Sequence, residues 1–282
     1  MAGPNTTGKP QTEDYNLGRG IIYIAALNAS GKPDAAGWRD LGNAPEFNVT
    51  AESETLEHRS SRQGLQVVDK EVVISQDMNL SFSLDELSDE NLALFFSGAK
   101  ATHTNVAVAG FTKYEMISAA DGGVTLGRWY DIVDSSGNRA YDIETGNLAL
   151  NNGDDDTLLV EDTDYEFNGV LGRIFLLSTA SNISAGEALD VTLTADAGAK
   201  AVSEVRGLTQ TNVTVALKFV AENPANDDKQ VEYEFHQVDL KADGDFALIS
   251  DEFSQMNFTG AAERNTVGYP NSPSLTIRTV AD

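Results

Sequence analysis

Pro45-Glu46-Phe47-Asn48-Val49-Thr50-Ala51-Glu52-Ser53-Glu54 alternates polar and apolar residues. After the break His58-Arg59-Ser60-Ser61-Arg62-Gln63-Gly64 the alternation resumes and runs to Asp85. In the first arm Phe47, Val49 and Ala51 share one face, and Glu46, Asn48, Thr50, Glu52 and Glu54 share the other. In the second arm Val68, Val72, Ile74, Met78, Leu80, Phe82 and Leu84 share a face that Lys70 and Gln76 interrupt. Asp69, Glu71, Ser75, Asp77, Asn79, Ser81, Ser83 and Asp85 share the opposite one, with Val67 and Val73 as exceptions. Successive side chains of a strand point to opposite faces, so period two predicts strands. Strands usually run about five or six residues, so residues 45–86 are predicted to form an unusually long hairpin. The apolar faces of the two arms must lie side by side. For a turn centred on the break, that places Glu52 near Glu71 and Glu54 near Asp69. Like charges facing each other across a sheet cost roughly 0.2–1 kcal/mol per pair. A ribbon acidic on one face therefore calls for a reason.

Working outward, Ser88 is a predicted helix N-cap, with Asp89 and Glu90 in the first turn, where the helix dipole favours anions. Leu87 and Leu92 sit at staple positions, Leu92, Phe95 and Phe96 form an apolar stripe, and Gly98 suits the stop. The expected helix spans 88–98 and packs over the sheet. Upstream, Gly20 to Leu27 reads as a short buried strand, followed by a turn at Asn28–Pro33. Downstream, strand-like runs recur at Val124–Val133, Ala140–Leu150, Gly172–Ser178, Ala188–Ala195, Asn212–Val220, Gln230–Leu240 and Asp245–Ile249. Turn signals such as Ser135-Ser136-Gly137-Asn138 and Ala242-Asp243-Gly244 separate several of them. Many strands and one clear helix predict an all-β fold, a sandwich or barrel with one packed α-helix. Thr157–Val160 shows no boundary. The expected organisation is a flexible N-terminal arm over 1–19, rich in Gly, Pro, Thr and Asn, and one β-rich domain over 20–282.

Composition narrows the function classes. Hydrophobic residues are 41% of the 282, and charged ones 22%, enough for a folded chain. No apolar run approaches the roughly 20 residues a membrane helix needs, and Met1-Ala2-Gly3-Pro4-Asn5 does not read as a secretory signal. Cysteine is absent, which excludes disulfides and thiolate-ligated metal. The formal net charge of −25 argues against holding nucleic acid through a basic patch.

Residues that could carry chemistry are sparse in pattern. His58, His103 and His236 are the only histidines and are far apart. There is no His-Glu-x-x-His, no Gly-x-Ser-x-Gly elbow and no phosphate-binding glycine loop. Gly18-Arg19-Gly20 lacks a third glycine and precedes a strand rather than following one. From Ala140 to Gly172 nine acidic residues and no basic one occur, including Asp154-Asp155-Asp156, but the spacing is not that of an EF-hand. Acidic pairs are abundant, yet with Trp38 and Trp129 the only tryptophans, a glycosidase cleft has little support. The expectation is a non-enzyme without cofactor or metal.

The order of features resembles phage major tail proteins of the tube type, found in long-tailed siphoviruses. The resemblance rests on the short apolar strand, the step Leu41-Gly42-Asn43, the acidic hairpin Glu52-Ser53-Glu54-Thr55-Leu56-Glu57, and the junction Leu84-Asp85-Glu86-Leu87-Ser88-Asp89-Glu90-Asn91-Leu92-Ala93. Towards the C-terminus it rests on Val215–Asn223 and Val238–Phe246, which look like closing strands. It covers most of 17–262. It implies hexameric rings whose hairpins join into an intersubunit β-barrel. Rings would stack head to tail into a tail tube, through whose acidic channel DNA passes without specific binding. The lumen role is carried to Glu52, Glu54, Asp69, Glu71 and Asp77. The contact with a neighbouring subunit or ring is carried to the turn His58, Arg59, Ser60, Ser61, Arg62, Gln63 and Gly64. The resemblance further implies that the partners are the chain itself and the tape measure, tail tip and terminator proteins, with no membrane. The site would be the virion tail, after assembly in the host cytoplasm. The alternative is an acidic β-sandwich that binds or adheres at a cell surface.

Overall fold

The computed structural model describes residues 18–60, 64, 66–222 and 229–281. The expected arm over 1–19 lies almost entirely outside them. Within them the fold is all-β, with one α-helix and no closed barrel. The single domain expected over 20–282 is not what forms. The chain divides into two compact units, one of residues 1–100 and 205–282, the other of residues 101–204. Each holds its own apolar cluster, which is why the segment between them in sequence can fold as a body of its own.

In the first unit the strands are β1 (Gly20–Ala26), β2 (Arg39–Asp40), β3 (Glu46–Ser60) and β4 (Val67–Leu84). After the inserted segment come β13 (Val213–Ala221), β14 (Lys229–Ala242), β15 (Met256–Ala262) and β16 (Leu275–Ala281). They hydrogen-bond in the order β2-β1-β13-β14-β15-β4-β3, with β16 also on β14. Ile22, Leu80, Phe82, Leu84, Leu217, Phe235, Val238 and Phe258 are buried beneath this sheet. Phe82 stacks on Phe258 with ring centres 5.0 Å apart. Phe47 lies opposite Phe82 in the β3–β4 register and also reaches Phe219 at 5.5 Å and Phe235 at 6.0 Å. Because β3 and β13 are far apart in strand order, that contact requires the sheet to coil round its own core.

The helix α1 (Asp89–Phe95) forms where its caps demand it. The Ser88 side chain accepts from the Asn91 N–H, and Asp89 and Glu90 occupy the first turn. Phe95 packs edge-on against Phe258 at 5.7 Å. The stop is built one residue earlier than expected. Ser97 takes the left-handed conformation at φ 45, while Gly98 N donates to Ala93 O at 2.7 Å. A Cβ on Gly98 would meet the Arg206 carbonyl at 2.3 Å, so glycine is needed there for space.

Asp245–Ile249, expected as a strand, is instead part of the β14–β15 loop. At the C-terminal edge, Arg278 of β16 pairs with Glu232 at 2.7 Å and with the buried Glu234, fastening β16 to β14.

The second unit consists of two three-stranded antiparallel sheets. One is β7 (Arg128–Asp131), β10 (Arg173–Leu176) and β9 (Tyr165–Asn168). The other is β6 (Phe111–Ile117), β11 (Leu189–Leu193) and β8 (Leu148–Asn152). Ile132, Leu150, Ile174, Leu176, Leu189 and Val191 are fully buried between neighbouring elements. The strand expected over Ala140–Leu150 pairs only from Leu148. Asp142 at φ 53 and the Glu144–Asn147 turn break it earlier. The segments β5 (Ala99–His103) and β12 (Val202–Arg206), through which the chain enters and leaves this unit, pair as a two-stranded ribbon.

Asp164 is the buried polar keystone of this unit. One carboxylate oxygen accepts from Ser181 N at 2.8 Å and Asn182 N at 3.0 Å; the other accepts from Val160 N at 2.8 Å and Asn182 Nδ2 at 2.7 Å. Burial pushes its pKa up, but the four donors outweigh burial and hold it below the usual aspartate range. A group depressed in this way contributes stability above its unfolded pKa, and the contribution is lost as pH falls through the lowered folded value. Asp164→Ala would remove four part-buried hydrogen bonds, each worth ~0.5–1.5 kcal/mol net, so this unit is expected to lose about 3 kcal/mol at neutral pH. With Trp38 replaced by Phe, Trp129 reports the second unit alone, and urea titration of its fluorescence measures the loss.

Candidate functional site

β3 and β4 are 15 and 18 residues long, and they separate into a supported foot and an unsupported outer half. At the foot β15 pairs with β4 from Leu84 to Asn79. Beyond Asn79, β4 has only β3 beside it among the described strands, and β3 is the last strand of the sheet throughout. The outer half, Ala51–Ser60 with its partner, extends roughly 30 Å at ~3.3 Å per residue. It is a two-stranded ribbon with both edges open. Nearly every residue of it is exposed, including Leu56, Val67, Val72, Val73 and Ile74.

The register differs from the sequence-based expectation. Glu52 lies opposite Asp77 and Glu54 opposite Ser75, rather than near Glu71 and Asp69. Glu71 lies opposite Glu57. The shift has two causes. The turn sits further along the chain, with Ser60 opposite Val67, and β4 carries two extra residues, Ile74 and Asp69, each a β-bulge.

The bulges redistribute the faces. From the foot to Ile74, Glu46, Asn48, Thr50, Glu52 and Glu54 lie across from Ser83, Ser81, Asn79, Asp77 and Ser75. This face is acidic and polar. The Ser75 hydroxyl lies 3.5 Å from both a Glu54 and an Asp77 oxygen, linking the two carboxylates. β3 alternates without insertion, so past Ile74 the two sides of β4 exchange. Val72 and Lys70, opposite Leu56 and His58, join the Glu52 face. Glu71 turns to the other face with Glu57, where Arg59 pairs with Glu57 at 2.9 Å. Asp69 meets His58 at 2.5 Å at the second bulge.

Of the five carboxylates expected to line one face, Glu52, Glu54 and Asp77 are brought together. Glu71 is not, because Ile74 intervenes, and Asp69 is engaged by His58 further out. Glu46 belongs with the first three. Of the turn, His58, Arg59 and Ser60 are strand residues, Gly64 is exposed, and Ser61, Arg62 and Gln63 lie outside the described residues. Two of the four misfits in the alternation, Val73 and Lys70, lie between the bulges and were their sequence signal; Val67 and Gln76 lie outside them and keep the faces the alternation gave them.

Elsewhere the titratable residues are dispersed into local pairings. His103 Nε2 lies 3.1 Å from the Arg139 carbonyl, and His236 is buried 2.8 Å from the Thr276 hydroxyl and stacked on Tyr269. Asp155 accepts from the Thr157 N–H, Asp156 binds Lys113, and the Asp154 N–H is held by Asn152. Among the described residues no three His, Asp or Glu side chains gather as a metal site, and no helix is long and apolar enough to cross a membrane.

A family model described as "Protein of unknown function UCP028589" matches residues 15–126 and 142–268, most of the chain, and the protein belongs to that family. No curated protein matches it.

The chain has no cysteine, so the register can be read by cross-linking. Glu57→Cys with Glu71→Cys is expected to oxidise readily to an intrachain disulfide. Glu54→Cys with Asp69→Cys is expected to stay reduced. Mass spectrometry with and without reductant checks both.

Proposed function

We propose that this protein is the repeating subunit of a siphovirus tail tube. Copies form hexameric rings, the β3–β4 ribbons of neighbours pair edge to edge into one barrel, and rings stack into a hollow tube that conducts DNA. The observation that carries this reading is the outer ribbon, with two open edges and branched aliphatics exposed on both faces. A lone two-stranded ribbon is marginal in water, and a flat exposed edge invites pairing with another chain. Closure of a ring of such ribbons removes every edge at once. One barrel face would then carry Glu46, Glu52, Glu54 and Asp77 from each copy. Carboxylates repeated round a bore repel phosphates and deny DNA the counterion-release binding that a basic bore would give. Tape measure, tip and terminator proteins are the partners this assembly calls for. It operates without cofactor or catalysis, in the virion tail after assembly in the host cytoplasm.

A second reading, an adhesion module at a cell surface, is favoured by one feature of the 101–204 unit. Trp129 is about half exposed on its sheet, beside Phe175 and under the Arg173 guanidinium at 4.5 Å. That feature leaves the open ribbon unexplained, so the tube is the better account.

Electron microscopy of the purified chain is expected to show rings or hollow tubes; dispersed monomers at all concentrations would sink the reading. In assembled tubes, Glu52→Lys, Glu54→Lys and Asp77→Lys together are expected to create tight binding of double-stranded DNA. Its affinity should fall about 10³-fold or more between roughly 50 and 200 mM salt, as for a site with several phosphate contacts. Glu71→Lys, on the other face, is expected to leave DNA binding at the wild-type level. Fluorescence anisotropy with labelled duplex measures both.

A further inference from the structure

Among the described strands, β16 pairs with β14 alone, from Leu275 opposite Phe235 to Val280 opposite Gln230. Apolar burial does little to hold it there. Leu275 packs against the core, but Ile277 and Val280 are 54% and 68% exposed. Its polar attachment converges on His236, an imidazole with no exposed surface. His236 Nε2 lies 2.8 Å from the Thr276 hydroxyl of β16, and the His236 N–H donates to Ser274 O at 3.2 Å. The Tyr269 ring stacks on the imidazole with centroids 3.5 Å apart, and Asn265 Nδ2 donates to the His236 carbonyl. Nδ1 has no hydrogen-bond partner, and Glu234 Oε1 stays 3.8 Å from it.

That carboxylate is already engaged. The Tyr269 hydroxyl donates to Oε1 at 3.1 Å, and Arg278 of β16 donates to Oε2. Arg278 also pairs with Glu232 at 2.7 Å, whose other oxygen lies 3.3 Å from Lys218 of β13. Two cations thus face two carboxylates, and the charges balance while His236 is neutral. A buried imidazolium would upset that balance. Its Nδ1–H would need Glu234, the acceptor that fastens Arg278, and two like charges would then share one buried carboxylate. Burial holds His236 below the ordinary histidine range, against the pull of Glu234 and with the help of Arg278. Burial pushes Glu234 up, but Arg278 and Tyr269 outweigh it and keep it below the usual glutamate range. Between pH 7 and 5, His236 is therefore the member of this cluster that changes charge.

We infer that His236 is an acid-operated fastening: its protonation frees β16 from β14 and bares the β14 edge over Gln230–Phe235 for pairing with another strand. The device lies within one chain and works whether or not rings form. With β16 released, His236 takes up a proton near the ordinary value of about 6.5; with β16 attached, it does so only at lower pH. Attachment is therefore strongest above about pH 6.5. It weakens as pH falls, by up to about tenfold per pH unit, until the lowered value is passed.

Hydrogen exchange of the full chain, followed by mass spectrometry and corrected for the intrinsic rate at each pH, is the test. Protection of the Thr276–Val280 amides is expected to fall roughly fivefold or more between pH 7 and pH 5, while that of Asn257–Ala262 in β15 holds. His236→Gln, which cannot titrate, is expected to give the same β16 protection at both pH values. Arg278→Gln leaves Glu234 free to receive the imidazolium. It is expected to lower β16 protection at pH 7 but to shrink the fall on acidification. Equal protection of β16 at pH 7 and pH 5 in the unmodified chain would overturn the inference, and so would a His236→Gln chain that keeps the fall. Should His236→Gln fail to fold, Arg278→Gln decides: a fall as large as that of the unmodified chain overturns the inference, and a smaller one upholds it.

Discussion

Phe47 and Phe82 face each other at the foot of the long ribbon, set between Phe258 on one side and Phe219 and Phe235 on the other. Everything the ribbon can do depends on this aromatic packing. Two strands alone do not hold themselves in a fixed direction in water. With both phenylalanines locked into the core, the first residues of β3 and the last of β4 become part of the sheet, and the outer half inherits their orientation. The coiling that brings β3 over β13 and β14 is the same event, since Phe47 can meet Phe219 only if the open sheet curls over its own core.

From that fixed foot, two single-residue insertions decide what each face presents. Were β4 regular through Ile74 and Asp69, Glu71 and Asp69 would fall on the Glu52 side as far as the turn. With both residues bulged it ends at Glu54 and Ser75, and beyond that point both sides mix aliphatics with acidic and basic groups. Bulges also increase the local twist of a strand pair. The added twist makes a ribbon of this length a less indiscriminate template for pairing than a flat one would be.

The all-β class, the long hairpin and the capped helix at Ser88 were legible because each depends on local chemistry: period-two alternation, a hydroxyl at an N-cap, carboxylates in a first turn. What was not legible depends on long-range partners. The pairing of Glu52 with Asp77 follows from the position of the turn and from two bulges, which the misfits Val73 and Lys70 mark without fixing which residue is inserted. Asp245–Ile249 has strand-like residues at Phe246 and Leu248, but no sheet edge reaches it. The division into two units was hidden because the paired segments at its boundary, Ala99–His103 and Val202–Arg206, are short, largely polar and a hundred residues apart in the chain. Of the candidate site, residue types were readable and residue neighbours were not, which is why Glu71 was grouped with carboxylates it does not face.

The stem formed by β5 and β12 makes the 101–204 unit a graft on a host fold. Outgoing and returning strands run side by side, so the host's own strands and helix need no change in connectivity whatever is carried between them. A chain organised in this way can vary, enlarge or shed its cargo in evolution while the scaffold's strand order is preserved. For the same reason, the stem is a ready-made splice point for installing a foreign domain.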